Sequence, residues 1–324
     1  MNKKQQCGNS YSEIVENANG VKVYRKSFAL SRKYQFYNEY LCSRYLQALD
    51  SDITPQIISV NHAKHCIDYE LCNNAEDNQS SNLEYLELTK KVHSLCSLRE
   101  NPTLEINASQ PMIDLKEFFL ELGDRIRDLE DLSSGEEAST IELKRLIRDM
   151  KGKFIELQEA LAHQYLRSTL TFSQADSGVH NCVRGAHGGL LMADLEYAGK
   201  DSPLKQCIDY LLHPRCQTCT DTHKDWWQYF NERVFSKADN KVSNIVASAL
   251  SLKWAVIMLN EYRPDIWTLR VTADESRAMR KAGILKRQLV KASLYFKMCD
   301  RLKVSEVPYG LFSESERDFL SESY

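Results

Sequence analysis

The pattern of apolar and polar positions changes near residue 74. Before it, apolar residues occur in short runs that are typical of strands: "EIVEN" and "VKVYRKSF" around the turn "ANG", then "TPQIISV" and "HCIDYELC". Asn19-Gly20 is a strong hairpin turn signal. Between the hairpin and the later strands, Phe36, Tyr40 and Leu46 follow helical spacing. The pattern predicts a small antiparallel sheet with one helix packed on it.

The run "NNAEDNQSSN" is polar and rich in turn formers, and it marks a boundary after residue 73. Beyond it the apolar residues follow long helical patterns. These are "LEYLELTKKVHSLCSL", "MIDLKEFFLELGDRIRDLEDL", "IELKRLIRDMKGKFIELQEALAHQYL", "PLKQCIDYLLHP", "HKDWWQYFNERVF", "NIVASALSLKWAVIMLNEY" and "ESRAMRKAGILKRQLVKASLYFKMC". The chain is therefore predicted to be α+β, with a small lobe over residues 1–73 and a larger, mainly helical lobe over residues 74–324.

Composition narrows the function classes. The net charge of −3 over 324 residues gives no basic footprint for nucleic acid. No window has 18 consecutive apolar residues, and the N-terminus lacks the apolar region of a signal peptide. Ten cysteines are scattered along the chain, which favours reduced thiols over a disulfide framework. We expect a cytoplasmic protein without nucleic-acid or membrane partners, whose oligomeric state the sequence leaves open.

One polar stretch concentrates carboxylates, amides and glycines. In it, "ADSGVHN" followed by "LMADLEYAG" resembles the catalytic and metal-binding segments of the aminoglycoside phosphotransferase and choline kinase-like family. Upstream, "GNSYSEIV" resembles that family's phosphate-covering turn, "GVKVYRK" its lysine strand and "FYNEYL" its helix glutamate. Two C-terminal stretches, "LKWAVIMLNEYRP" and "KRQLVKA", resemble helices of bacterial members of unassigned substrate. The resemblance covers most of the chain and implies a two-lobed protein-kinase-like fold.

The resemblance also implies a reaction. Phosphoryl transfer from ATP depends on positioning and charge neutralisation more than on covalent chemistry. Asp176 matches the catalytic-loop aspartate, which accepts the proton of the acceptor hydroxyl. Asn181 and Asp194 match the two protein ligands of Mg²⁺, a cation that prefers oxygen donors. The glycine-containing segment between them permits a tight return that would bring the three side chains together.

The small lobe is expected to bind the nucleotide. Lys22 matches the lysine that contacts the α- and β-phosphates, and Glu39 matches the helix glutamate that pairs with it. Within the helical lobe, which carries the catalytic loop and the acceptor site, Asp209 matches an aspartate that supports the catalytic loop. These three roles rest on the resemblance.

Two further segments complete the predicted ATP site. Gly8, Asn9 and Ser10 match the turn whose backbone amides can approach a phosphate closely. "IDYELC" falls where the family's hinge presents groups to adenine, so Glu70 and Cys72 are predicted to contact the nucleotide.

The sequence departs from the family just before the catalytic aspartate. Members often carry His-Gly or Ser-Pro-Ser there, whereas this chain has Ser173, Gln174 and Ala175. The change removes no predicted base or metal ligand, although it alters the packing expected of the loop. It motivates the alternative of a pseudokinase that binds nucleotide or a protein partner without turnover.

Two sharper hypotheses compete with plainer interpretations. "DLEYAG" is close to the form in choline and ethanolamine kinases, so Glu196, with Trp226 and its aromatic neighbours, could hold a cationic acceptor. The favoured interpretation is local packing of Glu196 and a helix with a core face around Trp226. Likewise "CQTC" is one CxxC with loosely spaced histidines, so free thiols are expected there and not zinc.

The sequence thus predicts an ATP- and Mg²⁺-dependent phosphotransferase. The expected acceptor is a hydroxyl of a small molecule, and a sugar, an amino sugar or an aminoalcohol all fit. The pseudokinase is the alternative.

Overall fold

The computed structural model describes residues 5–7, 10–17, 19–98, 104–133, 141–162, 164, 166, 169–218 and 220–322. The chain forms two compact units. The first combines Met1–Ser109 with Leu170–Asp201, and the second combines Gln110–Thr169 with Ser202–Tyr324. Each unit is built from segments that are distant in sequence.

The first unit contains a five-stranded antiparallel sheet in the order β1-β2-β3-β5-β4. Its strands are β1 (Gln5–Cys7), β2 (Ser10–Glu16), β3 (Lys22–Phe28), β4 (Ile57–Asn61) and β5 (Cys66–Tyr69). The predicted hairpin joins β2 to β3: the Asn17 side chain accepts the backbone N–H groups of Asn19 and Val21 at 2.9 and 3.0 Å. Gly20 supplies the left-handed φ of +73° that the turn requires.

The predicted helix of this unit, α1 (Lys33–Leu49), packs on the sheet. A small apolar core forms between them from Phe28, Phe36, Ile67 and Tyr69, each no more than 5% exposed. Because Phe36 and Glu39 lie one turn apart on α1, the same packing carries Glu39 to the sheet. The core therefore fixes the position of a charged residue as well as the fold.

The first unit does not end at residue 73, where the sequence places the boundary, but also contains later segments. It includes β6 (Asn73–Asn74), α2 (Gln79–Leu98), β7 (Thr171–Ser173), β8 (Cys182–Arg184), β9 (Leu190–Met192) and β10 (Gly199–Asp201). β8 pairs with β6 and β9, and β7 pairs with β10. Arg184 ties β8 to α2 through an ion pair with Glu84 and a 2.9 Å hydrogen bond to Ser81. These long-range pairings attach the polar stretch to the N-terminal segments.

The second unit consists of helices, as the long periodic patterns predict. They are α3 (Leu115–Ser133), α4 (Ile141–Leu161), α5 (Pro203–Leu212), α6 (His223–Tyr229), α7 (Lys237–Met258), α8 (Pro264–Ala273), α9 (Ser276–Met279), α10 (Lys281–Val304) and α11 (Glu314–Ser321). The α+β prediction, a small antiparallel sheet and a larger helical part, is confirmed.

The core of the second unit surrounds α7. Val246, Leu250 and Leu252 of α7 are fully buried with side chains from α3, α4, α5, α10 and α11. By length and composition alone, Lys237–Tyr262 could cross a membrane, yet 83% of its most apolar window is buried within the structure. The apolar character of α7 is thus accounted for by its central place in the core.

Candidate active site

The centre of the candidate site is a buried lysine on β3. The Nζ of Lys26 lies 3.0 Å from Glu39 Oε2, contacts Asp194 Oδ1, and lies 3.5 Å from Glu196 Oε2. Lys26 is only 5% exposed. Burial opposes its charge, but the attraction of the three carboxylates outweighs it and raises the pKa of Lys26 well above its usual value. The ammonium group is therefore held in its charged form.

The prediction that Lys22 pairs with Glu39 is wrong, because the structure pairs Glu39 with Lys26. Lys22 and Lys26 lie on the same face of β3, because side chains alternate with a period of two. They are four positions apart along the strand, a distance of about 13 Å at the usual rise per residue. Lys22 is exposed near the hairpin, opposite Glu16, whereas Lys26 lies where α1 packs on the sheet. The packing of α1 decides between the two lysines.

Glu39 is fixed at both oxygens. Lys26 donates to Oε2, and the Tyr69 hydroxyl donates to Oε1 at 3.0 Å. Burial raises the pKa of Glu39, and the charge of Lys26 opposes that shift. Glu39 is 2% exposed and engaged on both sides, which suits the role of orienting the Lys26 ammonium group.

The segment after β9 is held by an asparagine next to Glu39. The Asn38 side-chain amide donates to the backbone carbonyls of Leu195, Glu196 and Ala198 at 3.3, 3.1 and 2.7 Å. Asp194 begins this segment with a left-handed φ of +54°, a conformation that aspartate tolerates better than most residues. Its side chain remains 42% exposed although it contacts Lys26. Asp194 is thus a positioned carboxylate with one side open.

The predicted catalytic loop shows the same combination of fixed backbone and open carboxylate. Ala175 has φ +65°, and such conformations in residues other than glycine cluster at functional sites. The Asp176 side chain is 42% exposed, with His180 Nε2 3.5 Å from its Oδ1. The Asn181 side-chain N–H donates to the Asp176 carbonyl at 2.8 Å. This leaves the amide oxygen of Asn181 as the group able to bind a cation.

The structure brings the Asn181 and Asp194 segments together through a β-hairpin. β8 and β9 pair antiparallel, beginning with Cys182 opposite Met192. Next to this pair, the Ala193 N–H donates to the Asn181 carbonyl at 2.9 Å. The turn is closed by Gly185 and Gly189, whose backbones are joined by a 3.0 Å hydrogen bond. The return predicted from the glycines is confirmed.

The donor set fits a hard divalent cation. Asp194 offers a half-exposed carboxylate and Asn181 a neutral oxygen, and Mg²⁺ is usually bound by one or two carboxylates with further oxygen donors. Three carboxylates face the single ammonium group of Lys26, so the cluster carries an excess of negative charge. A cation would reduce that excess.

The other predicted nucleotide residues are placed in different ways. Gly8 and Asn9 lie outside the described residues, and Ser10 is buried at the start of β2. Glu70 pairs with Gln56: its N–H donates to the Gln56 carbonyl, and its Oε1 accepts the Gln56 N–H, both at 2.9 Å. Cys72 is half-buried just after β5. Contact of these residues with a nucleotide stays a prediction.

Sequence reasoning missed Lys26, Asn38 and the packing role of Gln174. Two of them carried a signal. Lys26 shares the strand face of Lys22, and Asn38 is a polar residue directly before Glu39 in α1. Gln174 stood out as a departure from the family that alters the loop, but its partners Ala193 and Tyr85, 19 and 89 residues away, carried no sequence signal.

Two of the aromatic residues proposed for a cationic acceptor, Trp226 and Phe230, are buried in the second unit. Trp226 is 1% exposed, stacks on Tyr210 with ring centroids 4.0 Å apart, and donates its indole N–H to the Cys207 carbonyl. Phe230 is fully buried. The favoured interpretation of this helix as core packing agrees with these contacts.

Asp209 lies in the second unit among positive groups. Its carboxylate accepts hydrogen bonds from Lys253 at 2.8 and 2.9 Å and from the Trp254 indole at 3.2 Å, and Lys205 lies 3.1 Å away. Asp209 is 3% exposed, so it is a structural centre of its unit. Its predicted support of the catalytic loop stays a prediction.

No model of a known protein family matches the sequence, and no curated protein matches it either. The fold, by contrast, resembles solved small-molecule kinases. An aminoglycoside phosphotransferase from Alicyclobacillus acidocaldarius subsp. acidocaldarius DSM 446 matches with a TM-score of 0.51 and 12% identity, over 91% of this chain and 92% of that one. The choline kinase LicA from Streptococcus pneumoniae matches with a TM-score of 0.52 and 12% identity, over 91% and 92%.

A choline kinase from Cryptosporidium parvum Iowa II matches with a TM-score of 0.54 and 13% identity, over 88% of this chain and 91% of that one. At identities this low the likeness establishes the fold. The chain therefore has the protein-kinase-like fold of the aminoglycoside phosphotransferases and choline kinases.

Proposed function

We propose that this protein is an ATP- and Mg²⁺-dependent phosphotransferase acting on a hydroxyl of a small molecule. The observation that carries the proposal is the cluster in which Lys26 contacts Glu39 and Asp194, joined through the β8–β9 hairpin to Asn181 and the Asp176 loop. The solved structures of similar fold are named as kinases of aminoglycosides, choline, ethanolamine and fructosamine.

Each residue has a distinct task in this reaction. Lys26, oriented by Glu39, binds phosphate oxygens of the nucleotide. Asp194 and Asn181 would hold Mg²⁺, and the bound cation would supply positive charge against the nucleotide phosphates. Asp176 orients the acceptor hydroxyl and accepts its proton. On the sheet face of Lys26, Ile14 and Tyr24 are 44% and 38% exposed and offer an apolar surface for the adenine ring.

The surroundings of Glu196 bear on which class of acceptor the site can bind. Glu196 is 4% exposed and lies 3.5 Å from Lys26. Burial raises the pKa of the neighbouring Tyr197, and the charge of Glu196 and its hydrogen bond to Tyr197 raise it further. A carboxylate engaged in this way is poorly placed to bind a cationic acceptor. We therefore favour a neutral sugar over an amino sugar or an aminoalcohol, both of which carry a cationic amine. We also propose a cytoplasmic setting, as the scattered cysteines lead us to expect.

The test measures phosphate transfer to a panel of small alcohols. Transfer is detected by the release of ADP and by the increase in mass of the acceptor. Wild-type protein should yield ADP and phosphorylated acceptor in equal amounts. Asp176→Asn should lower kcat by about 10²- to 10⁴-fold, the usual contribution of a positioned base, while ATP binding persists. Asp149→Asn, at an exposed position on α4, is the matched control and should behave as wild type.

A pseudokinase is the second candidate, favoured by the unusual Gln174-Ala175 pair before Asp176. Magnesium-dependent ATP binding without phosphorylation of any acceptor would support it. Absence of ATP binding would contradict the phosphotransferase and leave only a pseudokinase that binds a protein partner.

A further inference from the structure

A buried glutamine joins the three segments that carry the proposed catalytic residues. Gln174 is 1% exposed, and its side-chain amide nitrogen donates to the carbonyls of Asn181 at 2.9 Å and Ala193 at 2.6 Å. Its own backbone carbonyl accepts the Asp176 N–H at 2.9 Å. One residue therefore contacts the loop of the proposed base, one proposed metal ligand and the residue directly before the other.

The orientation of this amide is fixed by its surroundings. Two backbone carbonyls can only accept hydrogen bonds, so the NH₂ end of Gln174 must face Asn181 and Ala193. The oxygen end then faces the Tyr85 hydroxyl, which donates to it at 3.0 Å. Tyr85 is fully buried on α2. Asn181 and Ala193 are joined directly by a 2.9 Å backbone hydrogen bond, and the Gln174 amide adds a second link by donating to the carbonyl of each residue.

We propose that Gln174, oriented by Tyr85, is a positioning residue that sets the spacing of Asn181 and Asp194 and thereby the affinity for the divalent cation. The inference rests on the proposed function, since it assigns the cation to those two residues. Groups that orient metal ligands typically change metal affinity or activity by about 10- to 100-fold when they are removed. The effect of losing Gln174 should therefore appear in cation affinity before it appears in nucleotide affinity.

The second unit supplies a matched control. Gln217 is 4% exposed, and its amide also bridges two backbone carbonyls, those of Leu211 at 2.8 Å and His213 at 3.2 Å. Gln174→Leu and Gln217→Leu thus each remove a buried side-chain amide that donates to two backbone carbonyls. Only the first lies among the proposed metal ligands.

The experiment measures Mn²⁺ binding to the ATP-saturated protein by electron paramagnetic resonance, with the unfolding midpoint of every variant. Gln174→Leu should weaken Mn²⁺ binding by about 10- to 100-fold while metal-free ATP binding changes little. Gln217→Leu should lower the unfolding midpoint and leave Mn²⁺ binding unchanged. A folded Gln174→Leu protein with wild-type Mn²⁺ affinity would overturn the inference.

Tyr85→Phe keeps the test decisive if Gln174→Leu fails to fold. It removes only the hydroxyl that orients the amide, so Mn²⁺ affinity should fall severalfold; an unchanged affinity would contradict the inference. Wild-type protein that binds no Mn²⁺ with ATP would instead contradict the proposed function itself. The two failures are therefore distinguishable.

Discussion

The two units each bury a lysine–carboxylate cluster, and the clusters differ in the sign of their excess charge. In the first unit one ammonium group, Lys26, faces three carboxylates, of which Asp194 is 42% exposed. In the second unit one carboxylate, Asp209, lies between the ammonium groups of Lys205 and Lys253, and all three residues are at most 7% exposed. One cluster is open and negative, and the other is closed and positive.

This difference separates a binding site from a structural centre. The charges of Lys253 and Lys205 outweigh the desolvation of Asp209 and lower its pKa, so the carboxylate is stabilised by its own unit. In the first unit burial raises the pKa of Glu39 despite the nearby Lys26. Carboxylates that repel one another around one lysine gain from an added cation. A buried ion pair alone is therefore weak evidence of a functional site, because structural ion pairs share the same features. An exposed carboxylate and an excess of negative charge are stronger evidence of a cation site.

The largest expected effect is on activity at the open cluster. Lys26→Met should lower kcat/KM by about a thousandfold, equal to about 4 kcal/mol, because a preorganised charge on the phosphates is lost. Lys22→Met, on the same face of β3 but exposed, is the control and should stay within a few-fold of wild type. Steady-state kinetics at saturating acceptor would measure both. Loss of activity in Lys22→Met with retention in Lys26→Met would restore the original assignment.

The closed cluster should respond in stability. Asp209→Asn leaves two buried ammonium groups without their counter-charge, and breaking a buried pair in this way lowers the free energy of unfolding by about 3 kcal/mol. Urea unfolding would measure it, and Mn²⁺ affinity of the folded fraction should be unchanged. A variant of wild-type stability would remove the contrast between the two clusters.

A smaller expected effect is the pH dependence of stability in the second unit. Burial lowers the pKa of His223 from 6.5 to about 4. The unfolded chain takes up a proton between these values and the folded chain does not, so the stability from this group is present above pH 6.5 and is lost as pH falls toward 4. Between pH 7 and pH 5 the loss should be about 2 kcal/mol.

His223→Gln keeps a donor for the Cys216 carbonyl, which His223 contacts at 3.0 Å, but cannot titrate. Its stability should decline less than that of wild type over the same pH range. Equal pH slopes in urea unfolding would show that His223 does not titrate as the structure implies.

Much of the fold could be predicted because the signals are local. Asn19-Gly20 marks the β2–β3 turn, and the apolar period of α1 identifies the helix that packs on the sheet. Helix α11 was missed although Ser313 and Glu316 form a capping box that the sequence displays as S-x-x-E. The unit boundary could not be placed, because it depends on pairings such as Arg184 with Glu84, 100 residues apart.

The candidate site likewise has residues that the sequence predicts and residues that only the fold identifies. Asp176, Asn181 and Asp194 were found because they lie close together in a recognisable segment. Lys22 was assigned on the resemblance alone. The sequence does not distinguish it from Lys26, because a period of two places both on one strand face and only the packing of α1 selects between them.

The most direct test of the central claim is the thermal shift produced by ATP with Mg²⁺, measured side by side for wild type and Asp194→Asn. A ligand that binds the native state raises the melting temperature by mass action. The account predicts a shift in wild type that requires both ATP and Mg²⁺ and that shrinks strongly in the variant, with little change in the ligand-free melting temperatures. Absence of a shift in wild type at millimolar ATP, or an equal shift in Asp194→Asn, would contradict it.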